Sequence, residues 1–461
     1  MVIGGGPGGY VAAIRASQLG AKVILIEKDL IGGTCLNRGC IPMKALLSDA
    51  GLLRSLKRSP VFGSLFPEGL DLLQSMTDRK AKVVQEMVKG IEILLESYRV
   101  TIQYGEADLL GGTRVGLVKR EGGREAIETD VIILAPGSKS KSIPNIHPDG
   151  ERIITSDEAL ELGKIPHDIV IIGGGYIGAE FATLFSTLGS KVTIIEILED
   201  ILPGIDSEMV RNFQRVLEKE GVKILTRSSV EDLRQADEGL KLTVRTSQGI
   251  EEMAAEKLLV AAGRTPRLDL DFQKAGVEVS PSGIRVSRRM ETSAPKIYAV
   301  GDAIGGILLA YVASEGGVVA AENAMGIDRK MEDFPIPICV FTHPGIASVG
   351  LTEKEARAKG EIRLGRFPFR SNPKAQVCGE TDGLIKVIAS RESDEILGIH
   401  IIGPGASDLI SVAAMIVGQR GKAKEFTRLL QAHPTLPEAL KEAVLDAEGL
   451  AIHLPRPLRR K

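Results

Sequence analysis

Two of the four cysteines in this 461-residue chain lie in "GGTCLNRGCIPMKALL" (residues 32–47), where four residues separate Cys35 from Cys40. Three kinds of chemistry suit such a pair: a metal clip, two inert core thiols, or a thiol couple that opens and closes during turnover. A zinc site calls for four ligands, and "CLNRGC" offers two sulfurs. Cys339 and Cys378 lie far along the chain and read as small buried hydrophobes, so no metal is expected. A second candidate is "AHPTLPE". A thiol with a pKa near ~8.5 must lose its proton before it attacks a disulfide, and His433 is suited to take it. Glu438, five residues on, is placed to orient and charge-stabilise the imidazole. On residues alone, His433 and Glu438 equally describe a surface ion pair.

The elements that must position these groups are visible as an internal repeat. "VIGGGPGGYVAAIRASQLGAKVILIEK" from Val2 and "IIGGGYIGAEFATLFSTLGSKVTIIEI" from Ile171 align without a gap. Each has an apolar strand, a G-x-G-x-x-G turn (Gly4, Gly6, Gly9; Gly173, Gly175, Gly178), a helix and a second strand ending on Glu27 or Glu196. That is the pattern of a dinucleotide-binding βαβ unit, with pyrophosphate at the helix N-terminus and ribose on the acid. Glu196 would repel a 2′-phosphate, and no arginine follows it in "IIEILED", which favours NAD over NADP. A third segment, "TSAPKIYAVGDAIGG", reads as a strand ending on Asp302, a carboxylate suited to a flavin ribityl chain. "VIILAPGS" and "LLVAAGRTP" read as short strands whose glycine turns suit crossings between domains. Residues 77–97 have helical spacing and predict a packing helix. From about Glu332 strand-like runs followed by helices predict a final α+β domain.

Composition narrows the function classes. With 43% hydrophobic residues and a net charge of -2, the chain has no global field for nucleic acid and no membrane-length apolar run. Four cysteines suit a reducing, cytoplasmic setting rather than a secreted disulfide framework. Only Met1, Val2 and Ile3 precede Gly4, so the first strand is expected to be cut short of the usual ~5 residues. The basic tail "RPLRRK" is expected to be solvated.

Together, "GGTCLNRGCIPMKALL", both glycine fingerprints, "IYAVGDA" and "QAHPTLPEAL" resemble the class I FAD-dependent pyridine nucleotide-disulfide oxidoreductases over nearly the whole chain. "CLNRGC", Glu196, "HPTLPEAL" and "AIHLP" are most similar to the branch that oxidises dihydrolipoyl groups with NAD. The resemblance implies an α/β fold with two Rossmann-like domains and a C-terminal α+β dimerisation domain. The expected division is 1–140 (FAD, first part), 141–262 (NAD), 263–331 (FAD/central, second part) and 332–461 (interface). It implies that Cys40 is the flavin-side sulfur and Cys35 the interchange sulfur of a redox disulfide. The loop between them is short enough to close quickly, and a helix begun there would stabilise a thiolate. Lys44 would reach the flavin edge and pair with Glu180. His433, held by Glu438, would serve the disulfide of the other subunit in a homodimer with shared active sites.

By the same resemblance the flavin site would use Gly4, Gly6, Gly9, Glu27, Lys28, Gly33, Thr34, Lys44, Ala107, Gly137, Asp302, Leu309 and Ala310. The NAD site would use Gly173, Gly175, Tyr176, Ile177, Gly178, Glu196, Val230 and Gly263. Electrons would pass from dihydrolipoyl groups through the cysteine pair and FAD to NAD, with lipoyl domains of 2-oxoacid dehydrogenase complexes or the glycine cleavage system as partners. One alternative is another disulfide reductase of the family. A glutathione-type enzyme would show basic residues after the second acid, and a mercuric reductase a C-terminal cysteine pair; neither is present. The other alternative is a non-catalytic flavin-binding subunit of a multienzyme complex, which would not need Cys35, Cys40, Lys44, Glu180 and His433 together. Met43, Pro136, Tyr311 and Gln431 depart from the family pattern, and local contacts near the flavin are expected to differ.

Overall fold

The structure is a computed structural model that describes residues 1–59, 61–63, 72–237 and 239–455; the basic tail from Arg456 lies outside the described residues. The chain builds an α/β fold on three large sheets. In the first, strand Val2–Ile3 is two residues long yet pairs in parallel on both sides, with Ile24–Glu27 and Ile132–Leu134. These strands are apolar without alternation, as expected where helices cover both faces. Ile297–Ala299 extends the sheet on one side and Thr101–Gly111 on the other, followed by the antiparallel strands Arg114–Lys119 and Arg124–Glu128. The first sheet therefore takes strands from two separated stretches of chain.

The second sheet is wholly parallel, in the order Lys223–Leu225, Lys191–Ile195, Asp168–Ile172, Lys257–Val260, Ile153–Ile154. An antiparallel sheet of Ser229–Ala236, Gly239–Thr246 and Gly249–Ala255 is appended to it. The two passages of chain between the first and second sheets pair with each other: Ser138–Ser140 runs antiparallel to Arg264–Pro266. The third sheet is antiparallel, in the order Ile338–Val340, Gly345–Gly350, Ile396–Gly403, Leu384–Ser390, Ile362–Pro368, and helices Ala406–Gly418 and Pro437–Ala447 pack on it.

One apolar cluster joins helices of the first unit to the second and third sheets. Met43, Leu46, Leu47 and Ala50 of helix Cys40–Arg58 pack with Ala179, Phe181 and Leu184 of helix Tyr176–Thr187 and with Val340, Ile346 and Ile402 of the third sheet. Each such buried large side chain contributes about 1.5–3 kcal/mol relative to exposure. A second tie is ionic. Lys386, on the third sheet, meets Asp206 at 2.8 Å, Glu353 at 2.7 Å and Glu208 at 3.2 Å, and Lys386 and Asp206 are each only 1% exposed. Asp206 also caps helix Ser207–Lys219 of the second unit by accepting from the Glu208 N–H.

One expectation needs correction. The strand before Asp302 ends at Ala299, and Asp302 lies in the 3-10 turn Gly301–Ile304, because Gly301 adopts a left-handed φ of 71° that breaks the strand. The packing helix expected over 77–97 spans Leu73–Ser97 and buries Leu73, Met76 and Leu95, while Met87, Ile93 and Leu94 are exposed.

Candidate active site

Cys35 lies in the short helix Gly33–Arg38 and Cys40 is the first residue of the 19-residue helix Cys40–Arg58. No side chain caps that helix, so its unpaired N–H groups and positive dipole end face the Cys40 position. Both cysteines are thiols here, joined by a hydrogen bond. That bond, from Cys35, lowers the Cys40 pKa to about 7, against burial and with help from the Lys44 charge. Chiefly the same bond, and then burial, push Cys35 far above the ordinary thiol range. Of the two sulfurs, Cys40 is thus the more readily ionised.

Lys44, one turn along, donates from Nζ to both Glu180 oxygens, at 2.8 and 2.9 Å. Glu180 is buried on helix Tyr176–Thr187, and its Oε1 also accepts the Phe341 N–H at 3.1 Å. The Phe341 ring lies 4.6 Å from Lys44 Nζ. Sequence reasoning missed Phe341, whose only signal was a strand-like run. Met43 points into the apolar cluster beneath this pair, 4% exposed. Cys339, expected to be buried, is half-buried, its thiol pushed up to about 11 by partial burial against the Lys44 charge. Cys378, expected to be buried, is exposed: it ends helix Pro373–Cys378, where Gly379 turns the chain at the surface.

The glycine loops are built alike. Gly4 and Gly173 have φ of +101° and +105°, and a Cβ on Gly9 or Gly178 would stand 1.8 or 1.9 Å from the Gly4 or Gly173 carbonyl oxygen. Only glycine allows that approach. Each loop opens a 12-residue helix, Pro7–Gln18 or Tyr176–Thr187, whose N-cap glycine gives no side-chain bond. Buried Glu27 accepts from the Gly5 N–H (2.6 Å) and Asp29 N–H (2.8 Å), and buried Glu196 from the Gly174 N–H (2.7 Å) and Leu198 N–H (2.8 Å).

The remaining expected residues are spread over several elements. Gly33 and Thr34 open the helix that carries Cys35, with Gly33 Cα against Gly6. Lys28 follows the first acid and is exposed, Ala107 lies in Thr101–Gly111, and Leu309 and Ala310 open helix Ala310–Ala324. Asp302 Oδ2 accepts from the Ser138 hydroxyl at 2.5 Å, and Arg264 Nε donates to that hydroxyl at 2.8 Å. Gly137 and Gly263 turn the chain beside these crossings at φ of 78° and 99°. Tyr176 and Ile177 begin the second fingerprint helix, and Val230 lies in Ser229–Ala236. Tyr311 bonds through its hydroxyl to the Pro337 carbonyl.

His433 and Glu438 are joined, Nδ1 to Oε1, at 2.8 Å, and the other Glu438 oxygen accepts the Thr435 N–H at 2.7 Å. Although burial works the other way, the Thr435 N–H and His433 hold Glu438 below the ordinary carboxylate range. The imidazole is 66% exposed and makes no hydrogen bond to the residues around Cys35 among the described residues. Within one chain, then, the thiol pair and the imidazole are not brought together.

Residues 1–317 match the family model described as pyridine nucleotide-disulphide oxidoreductase, and residues 336–444 match the dimerisation domain of the same family. The chain belongs to the pyridine nucleotide-disulphide oxidoreductases. Among oxidoreductases of this kind, it is 42% identical over 457 residues to a dihydrolipoyl dehydrogenase of Bacillus subtilis, covering 98% of this chain and 99% of the relative. It is 39% identical over 461 residues to the mitochondrial dihydrolipoyl dehydrogenase 1 of Arabidopsis thaliana, covering 98% and 91%. The solved structure of LpdA from Mycobacterium tuberculosis superposes with a TM-score of 0.88 at 28% identity, covering 96% and 98%. No helix among the described residues is long and apolar enough to cross a membrane.

Proposed function

We infer that this oxidoreductase has dihydrolipoyl dehydrogenase activity, oxidising dihydrolipoyl groups to the disulfide with FAD and NAD as cofactors. The observation that carries the reading is the Cys35–Cys40 pair, set at the start of helix Cys40–Arg58 and backed by Lys44–Glu180, in a chain matched end to end by dihydrolipoyl dehydrogenases. The glycine loops fit the two dinucleotides. A Cβ on Gly175 would meet nothing within 4 Å, and one on Gly6 only Gly33 Cα at 3.9 Å, so each uncapped helix start opens on a cradle for phosphate. Gly4, Gly6, Gly9 and Glu27 would hold FAD, with Asp302, Gly33 and Thr34 nearby. Gly173, Gly175, Gly178 and Glu196 would hold NAD, the carboxylate accepting from the ribose hydroxyls and repelling a 2′-phosphate.

The chemistry of this chain's residues follows from their placement. His433, oriented by Glu438, takes the proton of one substrate thiol at Nε2. The thiolate attacks the Cys35 sulfur of the oxidised pair, an S–S bond forms there, and the Cys35–Cys40 bond breaks with its electron pair on Cys40. The second substrate thiol attacks the first substrate sulfur, its proton passing to the departing Cys35 sulfur, which releases the cyclic disulfide and leaves Cys35 as a thiol. Cys40 holds the thiolate, stabilised by the helix dipole, the Cys35 hydrogen bond and Lys44. Bound FAD supplies the two-electron acceptor chemistry that links this dithiol to hydride acceptance by NAD.

The C-terminal module is a dimerisation domain. Because His433 and Cys35 do not meet within one chain, we assign the base to the partner's disulfide, in a homodimer with shared sites. Lipoyl domains of 2-oxoacid dehydrogenase complexes or of the glycine cleavage system are the proposed electron donors, in the reducing cytoplasm where few cysteines suit a cycling couple. The test is NADH oxidation by the FAD-loaded enzyme with free lipoamide against oxidised glutathione. Turnover with lipoamide, lost in Cys40→Ser, is expected. A preference for glutathione would move the chain to another reductase of the family, and no turnover with either would leave a flavin-binding subunit.

A further inference from the structure

The Lys44–Glu180 pair is not finished by the two nucleotide-binding units. Its third contact comes from the dimerisation module, through one residue used twice. Phe341 gives its backbone N–H to Glu180 Oε1 at 3.1 Å and places its ring 4.6 Å from Lys44 Nζ. Glu180 is thereby held from two sides, by ammonium and amide, while Lys44 has the carboxylate on one side and an aromatic face near another. A cation near a ring face is held by the ring quadrupole and is partly shielded from water. The ring is 39% exposed, and the backbone that carries it is anchored by Val340, which is buried in the cluster joining the second and third sheets.

We propose that Phe341 is a positioning residue for the redox centre: from the dimerisation module it fixes Lys44–Glu180 beside Cys40, and so sets how readily Cys40 ionises. This rests on the functional reading above, in which Cys40 is the flavin-side thiolate. The groups acting on Cys40 are Cys35 from helix Gly33–Arg38, Lys44 from its own helix and Glu180 from Tyr176–Thr187. Beyond them, Tyr10 faces Cys35 and Cys339 faces Lys44. Of these, Lys44 is the cation that favours the thiolate, and its place is what the ring controls. Without the ring, Lys44 gains freedom and solvent, its field at Cys40 weakens, and the thiol titrates at higher pH.

The experiment follows thiolate absorbance in the ultraviolet against pH in the two-electron-reduced, FAD-loaded full-length enzyme, with Cys40→Ser as the baseline. Wild type is expected to titrate near 7. Phe341→Leu keeps the amide and the apolar bulk but removes the ring, and should raise the midpoint by about half a unit, leaving about threefold less thiolate below it. Phe341→Tyr should restore the wild-type curve. Lys44→Met should raise the midpoint too, and in that background Phe341→Leu should add nothing, since the ring acts through Lys44. Should the leucine variant not fold, a fluorinated phenylalanine at 341, which keeps the shape and weakens the negative face, reads the same shift. A leucine curve that overlays wild type, or a shift of equal size in the Lys44→Met background, overturns the proposal. A wild-type signal that does not depend on Cys40 sinks the functional reading itself, and this inference with it.

Discussion

The placement of His433 makes a sharp quantitative test of how the active site is shared. His433→Ala should lower turnover of dihydrolipoamide by about 10²–10⁴-fold, the range for loss of a general base. Cys40→Ser should be inactive for a different reason, lacking the flavin-side sulfur. The imidazole is 66% exposed, is fixed to Glu438 at 2.8 Å and has no hydrogen bond to its own chain's thiol region. If each His433 serves the other chain, a heterodimer of the two variants has one site carrying both lesions and one carrying neither. Random pairing of equal amounts makes about half of the dimers mixed, each with one good site of two, so the mixture should recover about a quarter of wild-type activity. If His433 serves its own chain, every site keeps a lesion and activity stays at or below about one hundredth. The two outcomes differ at least roughly twentyfold in the unfractionated mixture, and more after purification through both of two different tags, when every dimer is mixed and about half of wild-type activity is expected. Verified mixed dimers without activity would refute the shared site while leaving the thiol pair intact.

Four further outcomes are expected. Lys386→Met strands buried Asp206 with Glu208 and Glu353, and should destabilise the chain by about 3–5 kcal/mol in chemical denaturation; a loss under about 1 kcal/mol would show that the cluster is not the tie described. In wild type the Asp206, Glu208 and Glu353 carboxyls are held below their ordinary range, burial being outweighed by Lys386 and other partners, whereas Lys386 is raised by the same carboxylates in spite of burial. Their contribution should therefore be present at neutral pH and be lost in unfolding experiments as pH falls through the carboxylate range, not as it rises toward the unfolded lysine value. Glu196→Ala should weaken NAD by roughly 1.5–3 kcal/mol and narrow the discrimination against NADP, measured as the ratio of kcat/KM values; a wild type that prefers NADPH defeats the assignment. Reduction of the FAD-loaded enzyme should raise a long-wavelength thiolate–flavin band that is missing in Cys40→Ser, and persistence of the band would remove Cys40 from its place.

What could be read from the sequence was what is local or repeated. The glycine turns, Glu27 and Glu196 follow a fixed spacing within one βαβ unit, so their types and intervals already specify a backbone geometry. The meeting of Lys44 with Glu180, 136 residues away, was legible only through family resemblance, since no periodicity joins them. Lys386 and Asp206 are 180 residues apart and carry no pattern that joins them in sequence; only the docking of helix Ser207–Lys219 on the third sheet makes them a buried pair. Phe341 stood in an apolar strand pattern, and its neighbour across the fold is a charge that no strand template anticipates. Asp302 was placed on a strand because "IYAVGDA" is apolar up to it, whereas Gly301 ends the extended run first. Cys378 was misjudged by residue type, because exposure at a helix end depends on what packs there.

The shared apolar cluster around helix Cys40–Arg58 limits how this chain can be re-engineered. Its two glycine-loop units match in sequence pattern, which invites exchanging one nucleotide module for that of a relative to change cofactor preference. Yet helix Tyr176–Thr187 presents Phe181 and Leu184 to Met43 and Leu46 and carries the acid that Lys44 needs, whereas helix Pro7–Gln18 supplies small residues such as Ala12 and Ala13 to another cluster. A transplanted module would arrive with side chains shaped for a different residue at position 43, leaving a void or a clash under the ion pair. Grafts in this chain should therefore be cut to keep helix Tyr176–Thr187 native and to replace only the segment around Glu196 that meets the ribose.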